Sequence, residues 1–152
     1  MTIRRARDAD RSEMLALWER SVRATHHFLA DQDIVGLRPL VAALFKDSPV
    51  EFWVVVRAAD RPLGFLGYTR GSVEALFIDP EHCGIGAGKL LLMHAQSLSG
   101  GALVVDVNEQ NQGAVGFYLA QGFIAVSRSD LDAEGRPFPT LHMRRDAPGQ
   151  LR

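Results

Sequence analysis

Apolar residues recur along the chain with two different periods, and these periods predict its secondary structure. Spacings of three and four residues, typical of a helix with one buried face, mark four segments. Short runs rich in β-branched and aromatic residues, bounded by turn signals, mark seven strands. The predicted helices lie around 14–22, 34–46, 87–98 and 111–121, and the predicted strands span 3–6, 52–57, 63–70, 73–78, 102–107, 123–128 and 140–144.

The order of these elements predicts the fold class. It runs strand, two helices, three strands, helix, strand, helix, two strands, which indicates a layered α+β (α/β) domain rather than a regular alternation of strand and helix. The strands at 52–57 and 63–70 are predicted to form a hairpin. The nearly continuous apolar runs at 73–78 and 102–107 predict strands that are buried on both faces. We expect one domain over 1–145 and a loose tail over 146–152.

Composition and charge narrow the classes of partner. The chain has 152 residues, of which 47% are hydrophobic and 23% charged, with a formal net charge of −1. No block of lysine and arginine stands out, so we expect no nucleic-acid partner. The apolar runs are too short to span a bilayer, and the first residues are charged where a secretory leader needs an apolar core. A single cysteine cannot form an internal disulfide, so the chain is predicted to be cytoplasmic. We also expect no membrane partner, and we expect a monomer or homodimer.

A glycine-rich segment, HCGIGAGKLLL at 82–92, follows a predicted strand and opens a predicted helix. It does not fit the triphosphate loop G-x-x-x-x-G-K-[ST], because Cys83 replaces the first glycine and Leu90 the hydroxyl residue. It fits the dinucleotide pattern G-x-G-x-x-G poorly, because Lys89 stands in the third glycine position. Backbone N–H groups of 84–89 at a helix N-terminus would still favour an anion, and glycines would let it approach closely. The alternative is a strand-to-helix turn without a ligand.

A second motif makes the anion interpretation more specific. Residues 111–123 read N-x-x-A-x-x-F-Y-x-x-x-G-F, one strand after the glycine-rich segment. With both motifs in this strand order, the chain resembles the GNAT superfamily of acyl-CoA-dependent N-acetyltransferases, in particular its small bacterial single-domain members, over nearly its whole length. The resemblance implies a mixed, mostly antiparallel sheet of about seven strands, splayed at its centre and flanked by four helices. One departure is Cys83, where the family usually has arginine or glutamine. The loss of charge-assisted bonds to a pyrophosphate would cost about 1.5–3 kcal/mol, which Lys89 would partly offset.

The resemblance also implies an activity and its residues. The activity is transfer of an acetyl group from acetyl-CoA to an amine of a small molecule or a protein by direct attack. Tyr118 matches the tyrosine that protonates the coenzyme A thiolate, and a phenol with a pKa of about 10 holds its proton at neutral pH. From its position at the start of the strand beside the gap, Glu74 is the candidate proton acceptor, directly or through water, and the alternative is a solvated carboxylate at the strand edge. The residues expected to bind the cofactor are Leu76, Phe77, Ile78, Cys83, Gly84, Ile85, Gly86, Ala87, Gly88, Lys89, Asn111, Ala114, Phe117 and Tyr118.

The acceptor side is expected near the end of the first helix, at His26, His27 and Phe28. Adjacent histidines point apart on a helix and no third ligand is evident, so no metal site is predicted. Two alternatives stay open at this stage. One is a non-catalytic module that binds or senses acyl-CoA, against which the presence of Tyr118 argues. The other is a transferase that uses a different acyl-CoA.

Overall fold

The fold is organised around one seven-stranded sheet, described for residues 1–147 by a computed structural model. The strands are β1 (Thr2–Arg5), β2 (Glu51–Val56), β3 (Pro62–Thr69), β4 (Ser72–Ile78), β5 (Leu103–Asn108), β6 (Ile124–Ser129) and β7 (Thr140–Arg145). The helices are α1 (Arg11–Thr25), α2 (Asp31–Lys46), α3 (Ala87–Ser99) and α4 (Gln112–Ala120). The strand order is β1-β2-β3-β4-β5-β7-β6 and, within the described residues, only β4 and β5 pair in parallel. The predicted fold class is confirmed.

Two hydrophobic cores form on opposite faces of this sheet. Side chains along a strand point alternately to its two faces. On β2, Val54 belongs to the core that includes Met14 and Leu17 of α1, whereas Val55 belongs to the core that includes Leu91 of α3. The helices therefore cover both faces of the first half of the sheet. The predicted hairpin is also confirmed, because β2 and β3 pair in antiparallel orientation.

The sheet splits between β4 and β5. Their parallel ladder has two residue pairs and ends where Val73 lies opposite Val105. On the other edge of β4, the pairing with β3 shifts register between Gly67 and Tyr68, so that Glu74 is an extra residue. A bulge of this kind bends its strand. The bend begins where the ladder to β5 stops, and it leaves the rest of β4 without a neighbouring strand on that side.

The prediction that both central strands are buried on both faces is wrong. In β4 only Val73 is buried and Glu74 is exposed, because the strand borders the split. In β5 burial alternates, with Val104 and Asp106 exposed. The reason is that α3 and α4 pack against one face of β5, whereas α1 packs against β3 and β4.

The end of the predicted domain can be compared only in part. Strand β7 ends at Arg145, and Asp146 and Ala147 follow it outside any strand or helix. The predicted domain bounds stay a prediction. The remainder of the predicted tail, 148–152, lies outside the described residues. Within 1–147, no helix combines the length and the hydropathy that crossing a membrane would need.

Candidate functional site

The glycine-rich loop between β4 and α3 contains glycines with two different roles. Gly84 and Gly86 have φ angles of +83° and +87°, a left-handed conformation that costs other residues about 1–2 kcal/mol. A Cβ at either position would meet nothing within 4 Å, so the space beside the loop is open. Gly88 lies within α3, where a Cβ would stand 3.4 Å from Cζ of Phe117. Gly88 therefore has room for a Cβ at ordinary contact distance, whereas the left-handed backbone at Gly84 and Gly86 shapes the loop.

A buried carboxylate ties this loop to α1. Asp79 directly follows β4 and is 5% exposed, and its side chain accepts hydrogen bonds from the Glu81 N–H at 3.2 Å and from Arg20 Nη2 at 2.6 Å. Burial acts to raise the pKa of Asp79, but the hydrogen bonds from Arg20 and Glu81 outweigh it and hold the pKa below its usual value. Because Arg20 belongs to α1, this ion pair fixes the position of the loop relative to that helix.

Helix α4 carries the second sequence motif to the split. Asn111 caps the helix, and its side-chain oxygen accepts a hydrogen bond from the Ala114 N–H at 3.1 Å. Two turns later the Tyr118 ring lies between Phe117 and Phe123, with ring centroids 5.2 and 5.3 Å away. Tyr118 is 6% exposed, and burial raises the pKa of its phenol above its ordinary value. Its hydroxyl, which has no hydrogen-bond partner among residues 1–147, therefore holds a proton that it can donate.

Two recesses meet at the split in the sheet. The loop-side recess, of about 200 Å³, lies between α1, β4, the glycine-rich loop and α4. The strand-side recess, of about 130 Å³, lies between β4 and β5. The residues that line both are His26, Leu76, Phe77, Asn111, Ala114 and Tyr118. Two molecules that enter from opposite sides would therefore meet beside Tyr118.

Most of the residues predicted from sequence come together here. In addition to the shared lining, the loop-side recess is bordered by Ile78, Cys83, Gly88 and Phe117. Glu74 borders the strand-side recess. The other predicted loop residues, Gly84, Ile85, Gly86 and Lys89, are exposed beside the recess rather than in its wall. Ala87 is the first residue of α3, and its side chain is buried in the core, so it can offer a ligand only its backbone. Of the three predicted acceptor residues, His26 lines both recesses, whereas His27 and Phe28 line neither.

The structure adds residues that the sequence interpretation missed. Ser21 and Thr25 border the loop-side recess, and Asp106 and Asn108 border the strand-side recess. Asp106 was overlooked because the strand at 102–107 was interpreted as buried on both faces. The alternation of one carboxylate with apolar neighbours along 103–107 was the signal that could have found it.

Aromatic contacts link two of the predicted acceptor residues to the β6–β7 connection. Directly after α1, the His26 ring lies 5.2 Å from the Phe28 ring, and the Phe28 ring lies 5.7 Å from that of Phe138 in the β6–β7 connection. Burial, helped by the nearby charge of His27, lowers the pKa of His26. On the strand side, Asp106 Oδ1 lies 2.7 Å from Nδ1 of His142, which fixes the orientation of that carboxylate.

The loop side fits the parts of acetyl-CoA. The backbone at 84–89 is open and stands at the N-terminus of the 13-residue helix α3, which suits a pyrophosphate. The unpaired edge of β4 at 76–78 offers hydrogen-bonding groups to an extended arm. The Cys83 thiol lies 3.7 Å from the Asp79 carbonyl oxygen and brings no positive charge, so Lys89 is the nearest cation along this loop.

Comparison with known proteins gives a consistent result. A domain described as an acetyltransferase (GNAT) domain matches residues 22–145. The peptidyl-lysine N-acetyltransferase YjaB of Salmonella typhimurium is 43% identical over 143 residues, which cover 94% of this chain and 97% of the relative. The Escherichia coli YjaB is 41% identical over 143 residues, covering 94% and 95%. Its apo solution structure superposes with a TM-score of 0.87 at 40% identity, covering 97% of each chain. The structure of yncA from Salmonella typhimurium, solved with acetyl-CoA, shares the fold, with a TM-score of 0.69 at 18% identity over 97% of this chain and 94% of the other.

Proposed function

The chain belongs to the GNAT family and is an acetyl-CoA-dependent N-acetyltransferase, and we propose that it acetylates lysine side chains of proteins by direct attack of the amine. The two YjaB relatives are named as peptidyl-lysine N-acetyltransferases and align over almost the whole chain. The observation that carries the proposal is the position of Tyr118, a buried proton donor in the wall of both recesses.

The strand-side recess suits a lysine side chain. Its wall includes the apolar side chains of Val73, Ala75 and Val105, which can pack against a methylene stem. The carboxylates of Glu74 and Asp106 border the same recess and favour the approach of an ammonium group. A long side chain with a charge at its tip therefore matches both the shape and the charge of this recess better than a bulky neutral amine.

The loop-side recess would hold the acetyl donor, which supplies an acetyl group activated as a thioester. Backbone groups of 76–78 would bind its extended arm, and the N–H groups of 84–89, with Lys89, would bind its pyrophosphate. The predicted contributions of Asn111, Ala114 and Phe117 are contacts from the wall formed by α4.

The transfer requires a proton donor and a proton acceptor. Tyr118 would donate its phenolic proton to the sulfur as the carbon–sulfur bond breaks, because its raised pKa keeps the hydroxyl protonated. Glu74, the proton acceptor predicted from the sequence, stays a prediction. It is exposed at the bulge of β4, from which it could accept the proton of the amine directly or through a water molecule.

Mass spectrometry of peptide substrates tests the proposed acceptor. Peptides with a blocked N-terminus and one lysine are incubated with acetyl-CoA and the protein, beside matched peptides in which arginine replaces the lysine. We expect an acetyl group on the lysine peptides alone. In parallel assays, faster acetylation of a lysine-free peptide with an open N-terminus, or acetylation of small amines alone, would contradict a lysine acceptor. Replacing acetyl-CoA with succinyl-CoA tests the alternative donor, and faster turnover with succinyl-CoA would assign a different acyl group.

A further inference from the structure

Hydrogen bonds at the end of α1 determine which nitrogen of His26 carries a proton. The Thr25 hydroxyl oxygen lies 2.7 Å from the carbonyl oxygen of Ser21. A carbonyl can only accept, so Thr25 donates its single proton to it. The same hydroxyl oxygen lies 2.8 Å from Nδ1 of His26. Because the hydroxyl has no second proton to give, it accepts there, and Nδ1 is the protonated nitrogen. The other ring nitrogen, Nε2, is then a free lone pair when the ring is neutral.

That lone pair is available at the split in the sheet. Within residues 1–147, Nε2 of His26 has no hydrogen-bond partner, and it is not one of the sealed polar atoms of the interior. His26 lines both recesses, as Tyr118 does. The ring is held from two directions, through Nδ1 to Thr25 and through its contact with Phe28. An imidazole that is held in this way presents Nε2 with little freedom to rotate.

We propose that His26 is the general base of the acetyl transfer, with Nε2 accepting the proton that the acceptor amine must lose. The proposal rests on transfer to an amine as set out above. One proton passes from the acceptor nitrogen to Nε2 of His26, and the freed lone pair of that nitrogen forms the bond to the acetyl carbon. As the carbon–sulfur bond breaks, Tyr118 Oη gives its proton to the sulfur. The acylated nitrogen passes its second proton to the Tyr118 phenolate, and His26 loses its added proton to water, so the products are the amide and the thiol and both groups are restored.

The surroundings of His26 favour this role over that of Glu74. The ionisable groups that border its two recesses are Glu74 of β4, Cys83 of the loop, Asp106 of β5 and Tyr118 of α4, and His27 follows it in the chain. Burial lowers the pKa of His26, so the ring is neutral and able to accept a proton at pH 7. The Nε2 lone pair of His26 lies in the wall that both recesses share, whereas Glu74 is exposed and borders only the strand-side recess. The two carboxylates border the strand-side recess and would instead attract the ammonium group of the acceptor.

Nitrogen NMR of the free protein tests the tautomer without reference to activity. Two-bond ¹⁵N–¹H spectra distinguish a protonated ring nitrogen from a bare one. We expect His26 to be neutral at pH 7, with hydrogen on Nδ1 and none on Nε2. Thr25→Ser keeps the hydroxyl and should keep this tautomer, whereas Thr25→Val removes the acceptor and should mix the two tautomers. Hydrogen on Nε2 in the unaltered protein would overturn the proposal.

Kinetics with a lysine peptide test the role of the lone pair. In His26→Asn the side-chain amide can still donate to Thr25, but no basic nitrogen remains at the position of Nε2. We expect kcat to fall by about 10²–10⁴-fold, a range typical of a lost general base. The acidic limb of the pH profile of kcat/KM should disappear, while coenzyme A binding and the melting temperature stay close to those of the unaltered protein. Thr25→Val should cause a smaller fall than His26→Asn.

The outcomes separate this proposal from the function on which it rests. If the unaltered protein acetylates lysine and His26→Asn keeps both its rate and its acidic limb, His26 is not the base. If, in addition, the acidic limb disappears in Glu74→Gln, the group that accepts the proton is Glu74. If the unaltered protein acetylates no lysine peptide, the proposed acceptor is wrong, and the NMR result still decides whether His26 presents a free Nε2.

Discussion

Replacing Gly86 with alanine isolates the conformational role of the glycine-rich loop. Gly86 has φ of +87° and ψ of 7°, directly before the first turn of α3. An alanine Cβ would meet no atom within 4 Å, so steric overlap contributes nothing to the cost. What remains is the left-handed backbone, which costs about 1–2 kcal/mol for an L-residue other than glycine. We therefore expect Gly86→Ala to lower the free energy of unfolding by that amount.

Two matched variants separate the cost of the left-handed backbone from the effect of adding a side chain. Gly86→Asn should cost less than Gly86→Ala, because asparagine adopts the left-handed conformation more readily. Gly88→Ala lies two residues away, within α3, and its Cβ would touch Phe117 at an ordinary 3.4 Å. Alanine is favoured over glycine in a helix by about 1 kcal/mol, so this variant should be neutral or more stable. Urea unfolding, with midpoint and slope fitted together, measures all three. Equal stability of Gly86→Ala and the unaltered protein, or a larger loss for Gly88→Ala, would refute the assignment of roles.

Three further predictions concern the ion pairs and the acceptor side. Asp79→Asn removes the charge from a 2.6 Å ion pair and should cost about 1.5–3 kcal/mol of unfolding free energy and weaken coenzyme A binding by calorimetry. Unchanged affinity would show that the loop does not depend on this tie. Phe138→Ala removes the ring contact with Phe28 and should raise KM for a lysine peptide but not for acetyl-CoA, and equal effects on both would contradict a role on the acceptor side. The hydrogen bond from Arg4 lowers the pKa of Asp10. The stabilisation that this pair gives the folded state is therefore complete above about pH 4 and is lost as pH falls through the folded pKa of Asp10. Thermal unfolding of Asp10→Asn should depend less on pH below about pH 4, and an unchanged pH dependence would contradict this.

The sequence predicted the elements and the family because both depend on local patterns. Helical spacing and strand-like runs arise from which face of each element is buried, and they located the seven strands and four α-helices of the described residues to within a few positions. The two motifs at 82–92 and 111–123 lie on loops and helix ends whose backbone conformation demands particular residues. Gly86 and Asn111 are examples, the first for its left-handed φ and the second for its capping hydrogen bond.

What the sequence did not predict depends on contacts between distant segments. Burial of β4 was predicted wrongly, because the bulge at Glu74 follows from its register with β3 and cannot be inferred from the strand alone. Asp106 was missed because its exposure depends on which helices cover β5. The tautomer proposed for His26 depends on the hydrogen bond that the Thr25 hydroxyl donates to the Ser21 carbonyl, which the residue types do not specify. Patterns of residue type contain none of this information.

The most direct test of the account compares single-turnover acetylation of a lysine peptide by the unaltered protein and by Tyr118→Phe. The substitution removes one oxygen atom, and it leaves the ring in contact with Phe117 and Phe123. We expect the rate of the chemical step to fall by about 10²–10⁴-fold, as for a lost general acid. The affinity for coenzyme A and the melting temperature should be preserved. An undiminished rate in Tyr118→Phe would show that the proton comes from another group. It would contradict the proposal that Tyr118 acts as the general acid at the split in the sheet.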